Sequence, residues 1–131
     1  MAEQRARPLS PHLGIWRWGP HMAASIFHRI SGGALSVAGL AVLTWWLLAL
    51  SNGSTAYQAF TTLAQTWVGI VILIGLTWAF FQHLLSGIRH LFMDTGQNFD
   101  LKPNKSSAIF TFVGAVVLTA VVWFYFLGGV K

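Results

Sequence analysis

Two short clusters bring together residues of this chain that can bind a metal, move a proton or recognise an anion. One is Ser25, His28 and Arg29; the other is His83, Ser86, Arg89, His90 and Asp94. On a helix, His83 and His90 differ by seven positions, which places them about 20° apart around the axis, with Gly87 about 40° from His83. His83, Gly87 and His90 therefore form one stripe. A neutral imidazole in apolar surroundings is a good axial ligand for haem iron. A glycine one turn away lets a flat macrocycle approach the backbone. The same histidine can instead hydrogen-bond a neighbouring helix with no metal present, and the spacing alone leaves both readings open. His90 lies closer to the charged loop that follows, where an interfacial polar role competes with a ligand role.

In the first cluster Ser25 and Arg29 stand four apart, and His28 stands three from Ser25, so the three share a helix face. Gly32 and Ser36 continue the face of His28, with the small residues that allow close helix packing. The guanidinium of Arg29 matches a haem propionate or a quinone carbonyl. It can equally snorkel to lipid phosphates and set topology. Asp94 suits a proton source, an ion-pair partner for Arg29 or Arg89, or a loop charge without further role.

The elements that carry these clusters follow from the distribution of charge. Hydrophobic residues make up 55% of the chain and charged residues only 8%, against roughly 25% charged in an ordinary soluble domain. No Lys, Arg, Asp or Glu occurs from Ile30 to Ile88, nor from Ser106 to Val130. Such stretches leave a soluble protein without a solvated face, whereas a bilayer requires them. The expected fold is all-α and integral to a membrane, with three transmembrane helices. Residues 1–22 form a polar arm with Pro8, Pro11 and Pro20, and residues 23–50 form the first span. An uncharged loop covers 51–66, with room for a short helix; the second span covers 67–92, a charged loop 93–106, and the third span with the C-terminus 107–131.

Orientation follows from the cations. The arm and the start of the first span carry Arg5, Arg7, Arg17 and Arg29; the second loop region carries Arg89, Lys102 and Lys105; the first loop carries none. The positive-inside rule then predicts a cytoplasmic N-terminus. It also brings the start of the first span and the end of the second to one face, so both polar clusters gather in a single leaflet. Ionisable groups at such depth usually mark a cofactor, substrate or proton path.

The net charge of +5 does not indicate a nucleic-acid partner, because the cations flank apolar spans instead of forming a stripe. The chain has no cysteine, which excludes a disulfide framework, a thiolate metal site and an iron–sulfur cluster held by this chain alone. Dinucleotide-binding and phosphate-binding glycine loops and the H-E-x-x-H zinc motif are missing as well. Any redox chemistry must draw on partners for its flavin and clusters, and no catalytic residue is expected in this chain by itself. The apolar run begins too late for a cleavable signal, so the first helix reads as retained, and the missing Arg/Ser-rich presequence favours a bacterial inner membrane over a mitochondrial one.

Three segments in order, Arg7 to Leu13 (RPLSPHL), Ser25 to Gly32 (SIFHRISG) and His83 to Asp94 (HLLSGIRHLFMD), resemble the cytochrome b556 subunit family of succinate dehydrogenase, the larger of two membrane anchors. The resemblance spans most of the chain and agrees with the three-helix layout. It departs at Trp16, where the family pattern has tyrosine.

The resemblance implies that His83 is one axial ligand of haem b, with the second ligand supplied by the smaller anchor subunit, which completes the helix bundle. His28 and Arg29, with His90, would lie on the haem propionate side. Ser25 and Arg29 would line the ubiquinone site near the iron–sulfur subunit, and Asp94 would belong to a proton path. Electrons would pass from succinate through the flavoprotein subunit and the iron–sulfur subunit to the quinone. Ser25 then hydrogen-bonds one quinone carbonyl, and Arg29 stabilises negative charge that develops on the quinone during reduction. A fumarate reductase anchor running the reverse reaction, and a helix bundle that tethers a partner without any cofactor, are the rival readings.

Overall fold

The computed structural model describes residues 18–129, so the arm up to Arg17, including Arg5, Arg7, Trp16 and the Arg7–Leu13 segment, lies outside the described residues, as does Lys131. The described chain is helical, without strands: α1 (Pro20–Ala34), a π-helical turn (Leu35–Gly39), α2 (Leu40–Ser51), α3 (Ser54–Ala64), α4 (Trp67–Asp94) and α5 (Leu101–Gly129). The segments Pro20–Ser51, Trp67–Asp94 and Leu101–Gly128 are long and apolar enough to cross a membrane. The end where α1 starts, α4 ends and α5 begins is called the arm end below.

Local chemistry explains the boundaries. Pro20 occupies the first turn of α1, where its missing N–H is no loss, and the extended Gly19 caps it through its carbonyl, which accepts from Met22 and Ala23. At the close of α2 the Asn52 side chain donates to the Leu48 carbonyl at 2.8 Å, and Gly53 turns the chain at a φ of 92°. That conformation suits glycine and strains other residues. Thr66 then joins two helices. Its hydroxyl donates to the Leu63 carbonyl of α3 at 2.7 Å and accepts from the Gly69 N–H of α4 at 3.1 Å. Gly69 is required there, because a Cβ would overlap the Leu63 carbonyl oxygen.

The interior is built for lipid, not water. Among the described residues the buried apolar ones are all alanines: Ala24, Ala49, Ala79, Ala108 and Ala115. Beside them are buried Ser31, Gln82, Ser86, Arg89, Thr111 and Thr119, while Leu, Val, Ile, Phe and Trp side chains crowd the exposed surface. In a bilayer, large apolar side chains gain nothing by leaving the lipid. Helices associate instead through close small-residue contacts and hydrogen bonds.

α4 packs against both α1 and α5, and α1 also meets α5. Polar groups run along the α4–α5 seam. Arg89 donates to Ser107 Oγ at 3.1 Å and to Asn104 Oδ1 at 2.6 Å. Gln82 donates to Thr111 Oγ1 at 3.5 Å, and Trp123 Nε1 donates to Thr77 Oγ1 at 3.3 Å. From Thr77 to Arg89 this seam covers about 18 Å of helix. The threonine hydroxyls return their own protons to backbone carbonyls one turn back, as in Thr111 to Ala108 and Thr77 to Leu73, so these hydroxyl donors are not left bare in hydrocarbon.

Candidate functional site

α1 and α4 run antiparallel, and each carries the same short pattern, a histidine followed four residues later by a glycine: His28–Gly32 and His83–Gly87. The structure shows what the pattern does. A Cβ on Gly32 would lie 2.9 Å from Cε1 of His83, and a Cβ on Gly87 would lie 3.7 Å from Nε2 of His28. Gly32 leaves room for the His83 ring, whereas a Cβ on Gly87 would make only ordinary contact with His28. The two imidazoles stack with centroids 4.1 Å apart and planes 7° from parallel. His90 meets the edge of the pair, 5.0 Å from His28 at 65°. Three of the residues singled out from the sequence thus come together, all of them partly buried.

The hydrogen bonds of His83 define its chemistry. Nδ1 lies 3.0 Å from the backbone carbonyl oxygen of His28. A carbonyl can only accept, so Nδ1 carries a proton, and in the neutral ring Nε2 keeps its lone pair. Nε2 has no hydrogen-bond partner among the described residues. Ser31 stands beside this bond: its hydroxyl donates to the same carbonyl at 3.0 Å and lies 3.4 Å from Nδ1. A histidine that ligates iron characteristically donates its other N–H to a carbonyl or carboxylate. The residues fit a haem whose iron His83 would hold, with Gly32 leaving room for that imidazole. Among the described residues no three His, Cys, Asp or Glu side chains gather as a metal-ion site.

The other expected residues are arranged around this core without joining it. Ser25 is half-buried on α1, one turn before Arg29, which is exposed. Neither makes a side-chain hydrogen bond or ion pair among the described residues, which leaves the Ser25 hydroxyl and the Arg29 guanidinium available to an outside ligand. Asp94 is exposed at the last residue of α4 and pairs with neither Arg29 nor Arg89 among the described residues. Arg89 points away from the histidines into α5 and is only 5% exposed. Ser86, also buried, faces the Ala24 carbonyl of α1 at 3.5 Å.

Sequence reading missed Ser31, although its place three after His28 is the spacing at which a serine hydroxyl reaches back to a helix carbonyl. The close fit of Gly32 under His83 depends on which helix crosses α1, which a single sequence does not reveal. The repeated His-x-x-x-Gly spacing was the available signal.

Comparison with known proteins shows the family. A profile of the succinate dehydrogenase/fumarate reductase transmembrane subunit family matches residues 3–122. The succinate dehydrogenase cytochrome b556 subunit of Paracoccus denitrificans is 41% identical over 123 residues, covering 92% of this chain and 94% of the relative. That of Rickettsia felis is 37% identical over 117 residues, covering 89% and 90%. The mitochondrial cytochrome b560 subunit of Mus musculus is 35% identical over 114 residues, covering 85% of this chain and 66% of the relative. With three membrane-crossing helices and a family match over most of its length, this chain belongs to the succinate dehydrogenase/fumarate reductase transmembrane subunit family.

Proposed function

We propose that this protein is the larger membrane anchor of a bacterial succinate dehydrogenase, with haem b and a ubiquinone-reduction site at the arm end. The observation that carries the reading is His83, whose Nδ1 is committed to the His28 carbonyl at 3.0 Å and whose Nε2 has no partner among the described residues. The arm end faces the cytoplasm in this reading, because Arg29, Lys102 and Lys105 lie there and the opposite loop carries no cation. The smaller anchor subunit completes the bundle and supplies the second haem ligand. The iron–sulfur subunit, carrying electrons from the flavoprotein subunit, docks on the cytoplasmic face of the inner membrane.

His83 would hold the haem iron, with His28, Arg29 and His90 on the propionate side. When bound, haem b supplies a one-electron carrier close to the quinone. The remaining chemistry belongs to side chains of this chain. Ser25 donates a hydrogen bond to a quinone carbonyl, and the Arg29 guanidinium offsets the negative charge that builds on the quinone oxygens. Asp94, exposed at the end of α4, is placed to pass protons from the aqueous side through water. The family covers both directions of the reaction, and the succinate dehydrogenase names of the relatives reported above favour oxidation of succinate.

The test is a reduced-minus-oxidised visible spectrum of the complex purified with its partners, for wild type and His83→Leu. The wild type is expected to show the sharp α band of six-coordinate haem b, and the variant to lose it. An unchanged band in the variant moves the ligand to His28 or His90; no band in the wild type removes the haem from the reading. In the same preparation Ser25→Ala should reduce quinone reductase activity by tenfold or more while succinate oxidation by an artificial dye stays intact. Equal activities with both acceptors would take Ser25 out of the quinone site.

A further inference from the structure

We propose that Ser31 is a positioning residue that sets the electronic character of His83 as an iron ligand. This rests on the reading of His83 above and goes beyond it, because it concerns a hydroxyl that would not touch the haem.

Three atoms form a triangle within the α1–α4 contact: the His28 carbonyl oxygen, Ser31 Oγ and His83 Nδ1, with separations of 3.0 Å, 3.0 Å and 3.4 Å. Ser31 is 2% exposed, so bulk water does not compete for these groups. The carbonyl accepts two side-chain donors, the serine O–H and the imidazole Nδ1–H. Each donor draws electron density from the oxygen and weakens the bond made by the other. The serine bond is as short as the imidazole bond, and the direct Ser31–His83 approach is longer, so the main effect of the hydroxyl on His83 passes through the shared carbonyl.

The consequence is directional. A stronger Nδ1–H bond gives an imidazole more anionic character and favours the oxidised metal; a weaker one favours the reduced metal. By drawing on the His28 carbonyl, Ser31 holds the Nδ1–H bond of His83 weaker than an unshared carbonyl would make it. It thereby raises the potential of a bound iron. The stacked His28 ring and Gly32 fix the plane in which this happens, so the effect does not depend on ring rotation.

The experiment compares wild type with Ser31→Ala, Ser31→Cys and Ser31→Thr in the complex purified with its partners. Haem content, midpoint potential by spectroelectrochemistry and the low-spin ferric electron paramagnetic resonance spectrum are read for each. Ser31→Ala should retain haem, shift to lower potential and change its largest g value. Ser31→Cys, similar in size but a weaker donor, should shift the same way by less, and Ser31→Thr should restore wild-type behaviour. Equal potentials in wild type, Ala and Cys variants overturn the proposal. So does an equal shift in Ala and Thr, since that tracks shape and not the hydroxyl. If Ser31→Ala fails to assemble, an unshifted Cys variant still overturns it. Failure of the underlying reading looks different: His83→Leu would then keep the wild-type haem spectrum.

Discussion

At the scale of single residues, the site depends on what Gly32 leaves out. Any side chain there meets the Nδ1–Cε1 edge of His83, with a Cβ only 2.9 Å from Cε1. Gly32→Ala must push the imidazole away or part α1 from α4. Overpacking of this kind costs about 1–3 kcal/mol. The expected result is reduced haem content and a lower melting temperature in the purified complex, whereas Gly33→Ala, which meets nothing within 4 Å, should behave as wild type. Full haem content and an unshifted melting temperature in Gly32→Ala would contradict this packing. His28 and His83 were both legible in the sequence as inward-facing polar residues. Their stacking was not, because periodicity locates a residue on its own helix and is silent about the neighbouring one.

At the scale of elements, Arg89 shows why the third helix sits where it does. The guanidinium is buried, and among the described residues it is met by neutral partners, Asn104 and Ser107 in the first turns of α5. Removing one partner from a buried cation costs more than an ordinary hydrogen bond, about 1–3 kcal/mol or somewhat above. Asn104→Ala should therefore lower the melting temperature of the complex, and Asn104→Asp, which offers a carboxylate to the same guanidinium, should match or exceed wild type. An alanine variant as stable as wild type would show that the contact contributes nothing. The haem band should stay in place in both variants, because Arg89 and the histidines face different helices. Sequence reading placed Arg89 in the second polar cluster, as a topology signal and a possible partner of Asp94. Its inward direction is decided by α5, since a positive charge at the end of a span satisfies the positive-inside rule whichever way its side chain points.

The path between α1 and α2 teaches the same lesson. A π-helical turn at Leu35–Gly39 interrupts the first span, and among the described residues α2 makes no close backbone approach to α4, while the π-helical turn and α3 do. The space between them is a cavity of about 430 Å³ lined by Gly39, Trp46, Phe60, Leu73, Phe80 and Phe81, among others. Composition alone reads this stretch as one uniform apolar helix, because hydropathy does not register an extra residue in a turn.

At the scale of the whole molecule, orientation decides function. A quinone site at the arm end is useful to a soluble electron donor only if that end faces the donor's compartment. The chain contains no cysteine, so single cysteines can report topology cleanly. Thr55→Cys, on exposed α3, should react with a membrane-impermeant maleimide in intact spheroplasts. Gln97→Cys, in the loop between α4 and α5, should react only after permeabilisation. The opposite pattern would place the site on the other side of the membrane and would remove the proposed docking of the iron–sulfur subunit.

By itself, the sequence determined the class of the protein, its three apolar helices and the two polar clusters, because charge is expelled from hydrocarbon so strongly that its absence over long stretches admits few folds. It also held enough of a family pattern to name the anchor subunits that the comparisons confirm. The tertiary structure alone decided which polar residues meet. It placed His28 on His83 with Gly32 making room for the ring, turned Arg89 into α5 and left Ser25 and Arg29 without a side-chain partner among the described residues. The physical reason is that in lipid the large apolar side chains exert little preference for one helix pairing over another. Pairing is set by a few small residues and hydrogen bonds, and those act only once the helices have been brought together.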